Sequence, residues 1–257
     1  FYLQILKKGW DKFARQASME HLPPHKAIAK QFGGLKVTED MVRRIIAETK
    51  LNSENASAWN EDDLARFAVA LRIASKPMVI AANKCDMPIA RENVERLKKQ
   101  FPQHTIIACS ADSELALKEA SKAKLVDYVP GEKTFTLTDD GKLNSAQKAA
   151  LGFIQSQVLD SLGGTGCQQV LDHAVFNLLG YLAIYPGSTK KLEDQHGNTL
   201  PDCWLMPPSS TALDFAFRIH TDIGSSFIKA IDVKSKKTVG KEHPLHHRDV
   251  IEIVSGK

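Results

Sequence analysis

Met78-Val79-Ile80-Ala81-Ala82-Asn83-Lys84-Cys85-Asp86 opens with five apolar residues and closes on an amide, an ammonium, a thiol and a carboxylate. A short apolar run that ends abruptly in polar groups reads as a buried strand delivering side chains to its C-terminal end. Beyond it, Arg91 to Gln100 has helical spacing, and Thr105-Ile106-Ile107-Ala108 is a second apolar run, followed by Cys109-Ser110-Ala111. Strand, helix and strand in this order form the βαβ unit of a parallel sheet with a right-handed crossover. Both polar segments therefore leave the C-terminal ends of neighbouring parallel strands, where ligands of open α/β sheets bind.

The residue types at these two ends suit guanine. The Asp86 carboxylate can accept hydrogen bonds from N1–H and the 2-amino group, and adenine offers neither donor there. The pattern predicts that the Asn83 amide reaches N7 while bracing the neighbouring loop, that the Lys84 methylenes lie along the base, and that backbone N–H groups of Ser110 and Ala111 face O6. A plainer reading makes Asn83 and Asp86 turn residues ahead of the helix at Arg91. No Gly-x-x-x-x-Gly-Lys-Ser/Thr occurs among the 257 residues to cradle phosphates and hold Mg²⁺. Gly163-Gly164-Thr165-Gly166-Cys167 has no lysine at the required place and reads as a helix stop. No catalytic residue is assigned.

Outward from this unit the pattern changes. Toward the N-terminus, Phe1 to about Ser75 is helical: Met41, Val42, Ile45 and Ile46 recur behind Thr38 as N-cap, and a second helix starts at Asn60 with Glu61, Asp62 and Asp63 in its first turn, stopping before Pro77. Toward the C-terminus, helices are expected at Glu114 to Lys124, Ser145 to Leu162 and Gln168 to Leu179, the last capped by Gly180, with a loop from Gly131 to Asn144. Tyr181 to Tyr185, Cys203 to Met206, a helix near Thr211 to His220, Ile228 to Val233 and Val250 to Val254 then predict a small mixed sheet wrapped on one helix. Thr211 to Asp214 has the capping-box spacing that starts that helix.

Composition narrows the function classes. With 43% hydrophobic and 25% charged residues, the chain is neither disordered, collagen-like nor a coiled coil. The net charge of +4 is too small for a DNA-coating protein, and it resides in the helical block, where 13 basic residues face 9 acidic ones between Phe1 and Lys76. Four cysteines are too few for a disulfide framework, no signal peptide is legible, and no apolar run approaches the roughly 20 residues of a membrane span. A cytoplasmic setting without membrane contact is expected. Phe1 to Leu6 reads like the middle of an apolar helix, so upstream sequence is expected to be missing.

His243, His246 and His247, with Cys203 elsewhere, fit no structural zinc spacing, and no metal site is expected. Cys85 and Cys109 flank the base pocket as packing residues or, if activated, as redox-sensitive thiols. Lys229, Lys234, Lys236, Lys237 and Lys241 belong either to a solvated hairpin or to a surface that touches RNA phosphates.

Asn83-Lys84-Cys85-Asp86, Ser110-Ala111-x-x-Glu114, Asp127-Tyr128-Val129-Pro130-Gly131, Thr211-Ala212-Leu213-Asp214-Phe215-Ala216 and Ile219-His220-Thr221-Asp222-Ile223-Gly224 together resemble the archaeal YchF-like branch of the Obg family of GTPases. The resemblance implies an α/β fold: a partial Ras-like P-loop GTPase domain with a helical insertion, followed by a TGS domain, a ubiquitin-like β-grasp module of α+β class. It divides the chain into a helical insertion at 1–75, the C-terminal half of the GTP-binding domain with trailing helices at 76–180, and a TGS domain at 181–257. GTP is the implied nucleotide, because Lys84 and Asp86 are lost in the related Obg-like ATPases. The phosphate loop, the Mg²⁺-binding switch and the catalytic half would lie upstream, so Mg²⁺ and hydrolysis are expected only with them. Ribosome or RNA contact through the TGS domain and helical insertion is the implied partnership. The alternative is a non-catalytic RNA-, ribosome- or protein-binding module acting through the TGS domain. An unrelated α/β enzyme would need a nucleophile, base and orienting-acid set that the sequence does not display.

Overall fold

A computed structural model describes residues 2–138, 142–194 and 196–256. The chain divides into two compact units, Phe1–Met78 and Val79–Lys257.

Among its described residues the first unit holds five α-helices where the sequence marks only two helix starts: α1 Tyr2–Lys7, α2 Trp10–Met19, α3 Pro24–Phe32, α4 Glu39–Glu48 and α5 Glu61–Ser75. Both marked starts are capped. Thr38 accepts from Met41 N–H at 3.3 Å, and Asn60 and Asp63 form a reciprocal capping box at 2.9 and 3.0 Å. The apolar stripes of these helices converge on Ile28, Val42, Ile45, Phe67 and Leu71, and the Trp10 ring stacks on Trp59 at 5.4 Å.

The second unit begins with the expected βαβ: β1 Val79–Ala82, α6 Pro88–Gln100 and β2 Thr105–Ala108, the strands parallel with Ile80 opposite Ile106. Helix α6 starts three residues before Arg91 because Pro88 suits the first helical turn, where no N–H is needed. Helix α7 Ala111–Lys122 likewise starts ahead of Glu114, with Ser110 as its N-cap residue. The segment expected as loop from Gly131 to Asn144 contains a strand: β4 Thr136–Leu137 pairs antiparallel with β3 Val126–Asp127. Two-residue strands are defined by long-range partners and leave no periodicity to read. Helix α8 Ser145–Phe153 continues through a π-helical turn at Ile154–Leu159 into α9 Asp160–Leu162, and α10 Cys167–Asp172 continues through a second at His173–Leu178. Gly163 at φ 77° and Gly180 at φ 66° end these two helical runs in the left-handed conformation that glycine adopts freely.

The remaining elements are β5 Leu182–Pro186, β6 Trp204–Met206, α11 Ala212–Ile219, α12 Thr221–Ser225, β7 Phe227–Asp232, β8 Lys237–Val239 and β9 Val250–Ser255. Five strands, one more than expected, form a mixed sheet in the order β6-β5-β9-β7-β8, with only β5 and β9 parallel. Thr211 and Asp214 cap α11, whose Ala212, Phe215 and Ala216 pack with Ile184, Met206, Ala230 and Ile251 in a β-grasp arrangement. Among the described residues no helix is long and apolar enough to cross a membrane.

Candidate guanine-base site

The loops after β1 and β2 are joined through their backbones. Cys109 N–H donates to the Ala82 carbonyl at 2.9 Å and Cys85 N–H to the Cys109 carbonyl at 3.0 Å, extending the ladder beyond both strands. Asn83 adds a side-chain link, its Oδ1 accepting from Lys84 N–H at 2.8 Å and Ala111 N–H at 3.0 Å. Lys84 sits at φ 68°, a left-handed conformation that costs a non-glycine residue about 1–2 kcal/mol and that the Asn83 bond helps to hold. Its side chain is exposed. Asp86 is half-buried, and its Oδ1 accepts from the Ser110 hydroxyl at 3.0 Å, while Ser110 itself is fully buried beside Ser113 Oγ at 2.9 Å. Asn83, Lys84, Asp86, Ser110 and Ala111 thus form one cluster at the strand ends.

The amide donors are already engaged. Ser110 N–H donates to the Thr165 carbonyl at 2.8 Å, and Ala111 N–H is the one bonded to Asn83. An incoming carbonyl oxygen would therefore share the Ala111 N–H or meet the N-terminal turn of α7.

Sequence reading missed the brace behind the first loop. Arg91 Nε donates to the Cys85 carbonyl at 2.8 Å, and the same guanidinium bonds the Gln157 carbonyl. Gln157 lies in the first π-helical turn, which also receives the Ser161 hydroxyl at 2.5 Å. A π-helical turn disrupts the usual carbonyl pairing and leaves acceptors for side chains. That turn, invisible to periodicity, supplies the far anchor of the Arg91 brace.

Cys85 is buried and its thiol donates to the Ala82 carbonyl at 3.1 Å. Burial, then the neighbouring Cys167 and Cys85, pushes the Cys109 thiol up to about 11, so it stays protonated at neutral pH and packs as a small hydrophobe. His247 accepts Ala183 N–H at 3.2 Å and its ring lies 4.6 Å from that of Phe176, which leaves it a structural part of the C-terminal sheet. The His243 and His246 rings are 6.4 Å apart, and no group of three or more His, Cys, Asp or Glu among the described residues has a geometry for holding a metal.

A family model described as the Obg-like GTPase YGR210-like, G4 motif-containing domain matches residues 81–188, and the TGS domain model matches residues 191–255. An uncharacterized GTP-binding protein of Methanocaldococcus jannaschii is 42% identical over 252 residues, which cover 98% of this chain and 62% of that protein. An uncharacterized GTP-binding protein of Schizosaccharomyces pombe is 24% identical over 215 residues, covering 80% and 52%. Among solved structures, a GTP binding protein from Pyrococcus horikoshii OT3 superposes with a TM-score of 0.73 at 35% identity, over 99% of this chain and 67% of that one. The chain belongs to the Obg-like GTP-binding proteins. It spans 62% and 52% of the length of the two curated relatives.

Every residue of the loop cluster lies inside the Obg-like match, and β6 to β9 lie inside the TGS match. In the glycine-rich stretch of this Obg-like chain, Gly166 is packed against the end of β2. A Cβ on Gly166, at φ 79°, would sit 2.0 Å from the Ala108 carbonyl oxygen and 2.8 Å from Cys109 Cα. A glycine is needed here for close approach to the end of β2.

Proposed function

We propose that these residues are the base-recognising part of a GTP site, and that phosphate binding, Mg²⁺ binding and hydrolysis depend on residues outside the 257. In this reading residues 1–75 are a helical insertion, 76–180 the C-terminal half of the GTP-binding domain with its trailing helices, and 181–257 the TGS module. The observation that carries the reading is the half-buried Asp86 carboxylate, oriented by the Ser110 hydroxyl while lone pairs stay available for guanine N1–H and the 2-amino group. Asn83 beside it ties the two loops into one rim. Nothing in the sequence supplies a phosphate cradle, so the chain alone would hold a guanine nucleotide through its base only, with a dissociation constant on the order of 1 mM, worth about 4 kcal/mol.

Asp86→Asn tests the base contact in protein that carries the phosphate-binding elements. The amide can donate to the 2-oxo group of xanthine where the carboxylate repels it, so GTP affinity should fall roughly tenfold or more while XTP affinity rises. Competition against a fluorescent guanine nucleotide measures both. Unchanged GTP preference would refute the pocket, and GTP turnover by the 257-residue chain that Asp86→Ala abolishes would refute the division of labour.

A second reading, ribosome or RNA contact through the TGS module, is favoured by the β7–β8 hairpin, where Lys229, Lys234, Lys236 and Lys237 are all exposed. Such a surface binds phosphates through counterion release and weakens with salt. Changing Lys234, Lys236 and Lys237 to Glu should abolish low-salt co-sedimentation of the chain with ribosomes. Equal sedimentation of both proteins at every salt concentration would leave the hairpin a solvated surface.

A further inference from the structure

The loops that carry Tyr128 and Thr165 converge on one carboxylate. Glu114, in the first turn of α7, accepts through Oε2 from the Tyr128 hydroxyl at 2.8 Å and from the Thr165 hydroxyl at 2.5 Å. Thr165 is fully buried, and its carbonyl takes the Ser110 N–H at 2.8 Å. Ser110 in turn orients Asp86 through its hydroxyl. Next to Thr165, Gly166 lies against the Ala108 carbonyl so closely that a Cβ there would sit 2.0 Å from its oxygen, which places this loop directly on the end of β2. The Glu114 carboxylate bonds Tyr128 and Thr165 and no member of the base cluster, yet it closes a relay from Tyr128 and Thr165 through Ser110 to Asp86.

We infer that Glu114 is a positioning residue for guanine recognition, fixing the depth of the Ser110–Ala111 loop by holding the Thr165 hydroxyl. The inference rests on the base-site reading and deepens it. The physical reasoning is that of a preorganised rim: Ser110 N–H can be satisfied only where the Thr165 carbonyl stands, and the Thr165 hydroxyl is buried with Glu114 as its acceptor. Removing the carboxylate takes the shared acceptor from both hydroxyls and leaves Thr165 only the neighbouring Tyr128 oxygen, so the Thr165 carbonyl loses the anchor that fixes its position under Ser110 N–H. A neutral amide at the same place can still accept through its oxygen, so geometry and not charge is the quantity at stake. The burial and Glu114 contact that push the Tyr128 phenol up to about 12 agree with a closed, water-poor junction.

GMP and AMP titrations of the 257-residue chain, followed by NMR at the Ser110, Ala111 and Asp112 amides, test this. Wild type should prefer GMP. Glu114→Ala should weaken GMP by about tenfold and speed exchange of the Ser110 amide, since losing a buried acceptor costs about a factor of ten. Thr165→Val, which keeps shape and removes only the hydroxyl, should do the same, and Glu114→Gln should stay within about twofold of wild type. If Glu114→Ala fails to fold, Thr165→Val and Glu114→Gln carry the comparison. Wild-type GMP affinity in Thr165→Val, with binding lost in Asp86→Ala, overturns the positioning role and leaves the base site standing. Absence of GMP preference in wild type, or its persistence in Asp86→Ala, overturns the base site itself.

Discussion

In the helical unit eighteen buried hydrophobic residues form a single cluster, from Tyr2 to Leu71, with Trp10, Trp59 and Phe67 at van der Waals distance. Around β1 and β2 the corresponding cluster among the described residues holds three: Cys85, Val94 and Ile106. A bundle of amphipathic helices closes on its own apolar stripes. A parallel sheet normally has more strands and helices on both faces, so a two-stranded one buries little of its own surface. Position at the strand ends is therefore kept by polar links, from Asn83, Arg91, Ser110 and Thr165, and by one glycine fit. Bulk stability and site precision reside in different places and in different forces.

Breaking the first region should give the largest effect. Phe67→Ala removes a fully buried ring and is expected to cost about 3–5 kcal/mol, lowering the melting midpoint of the helical unit. Amide exchange of Cys85, Ser110 and Ala111 should not change, and equal loosening there would show that the base loops draw on the helical core. Next comes Gly166→Ala, which combines a left-handed backbone with a clash on the Ala108 carbonyl and should cost about 2–3 kcal/mol. Hydrogen exchange should place that loss at Cys109 and Ser110; a silent substitution would mean the loop stands off from β2.

Tyr128→Phe is the smallest and sharpens the comparison through pH. Below pH 10 it should cost about 1 kcal/mol for the lost bond to Glu114. Burial and then Glu114 raise the wild-type phenol from 10.0 to about 12, against weaker opposing bonds from Thr165 and Gly131. The unfolded tyrosine ionises first, so this contribution is complete below pH 10 and is lost between about pH 10 and 12. The phenylalanine variant should lack that alkaline decline. Urea melts at pH 9 and 11.5 read the difference, and because Tyr185 is also raised, by its Cys203 partner, the comparison with wild type isolates Tyr128. Parallel declines in both proteins would place the decline elsewhere.

The βαβ unit and its polar loops were legible because a switch from helical to strand spacing and two abrupt polar ends are local signals. Thr38, Asn60 and Thr211 were legible as caps for the same reason, each requiring only residues three positions away. The β3–β4 pair and β8 were not, since two or three residues acquire strand character only from a distant partner. The Glu114, Tyr128 and Thr165 junction gave no chemical signal either: its members are 14 and 51 positions apart. Gly163 to Gly166 was legible as a helix stop, but the approach of Gly166 to β2 depends on tertiary packing that no spacing encodes.

The parallel pairing of β5 with β9 sets the order in which the C-terminal sheet can assemble. β9 lies at its centre, between β5 and β7, and joins Tyr185 to Val250 and Ala230 to Ile253. During synthesis the strands of the β5–β6 and β7–β8 pairs precede the strand that unites them, and each pair formed without it would present an unpaired edge to solvent. Neither hairpin is stable alone in water, and closing so long a chain segment carries an entropic cost before any contact returns it. The sheet should consequently form late and in one step, with a folding rate set by contact order and not by the ready capping of α11.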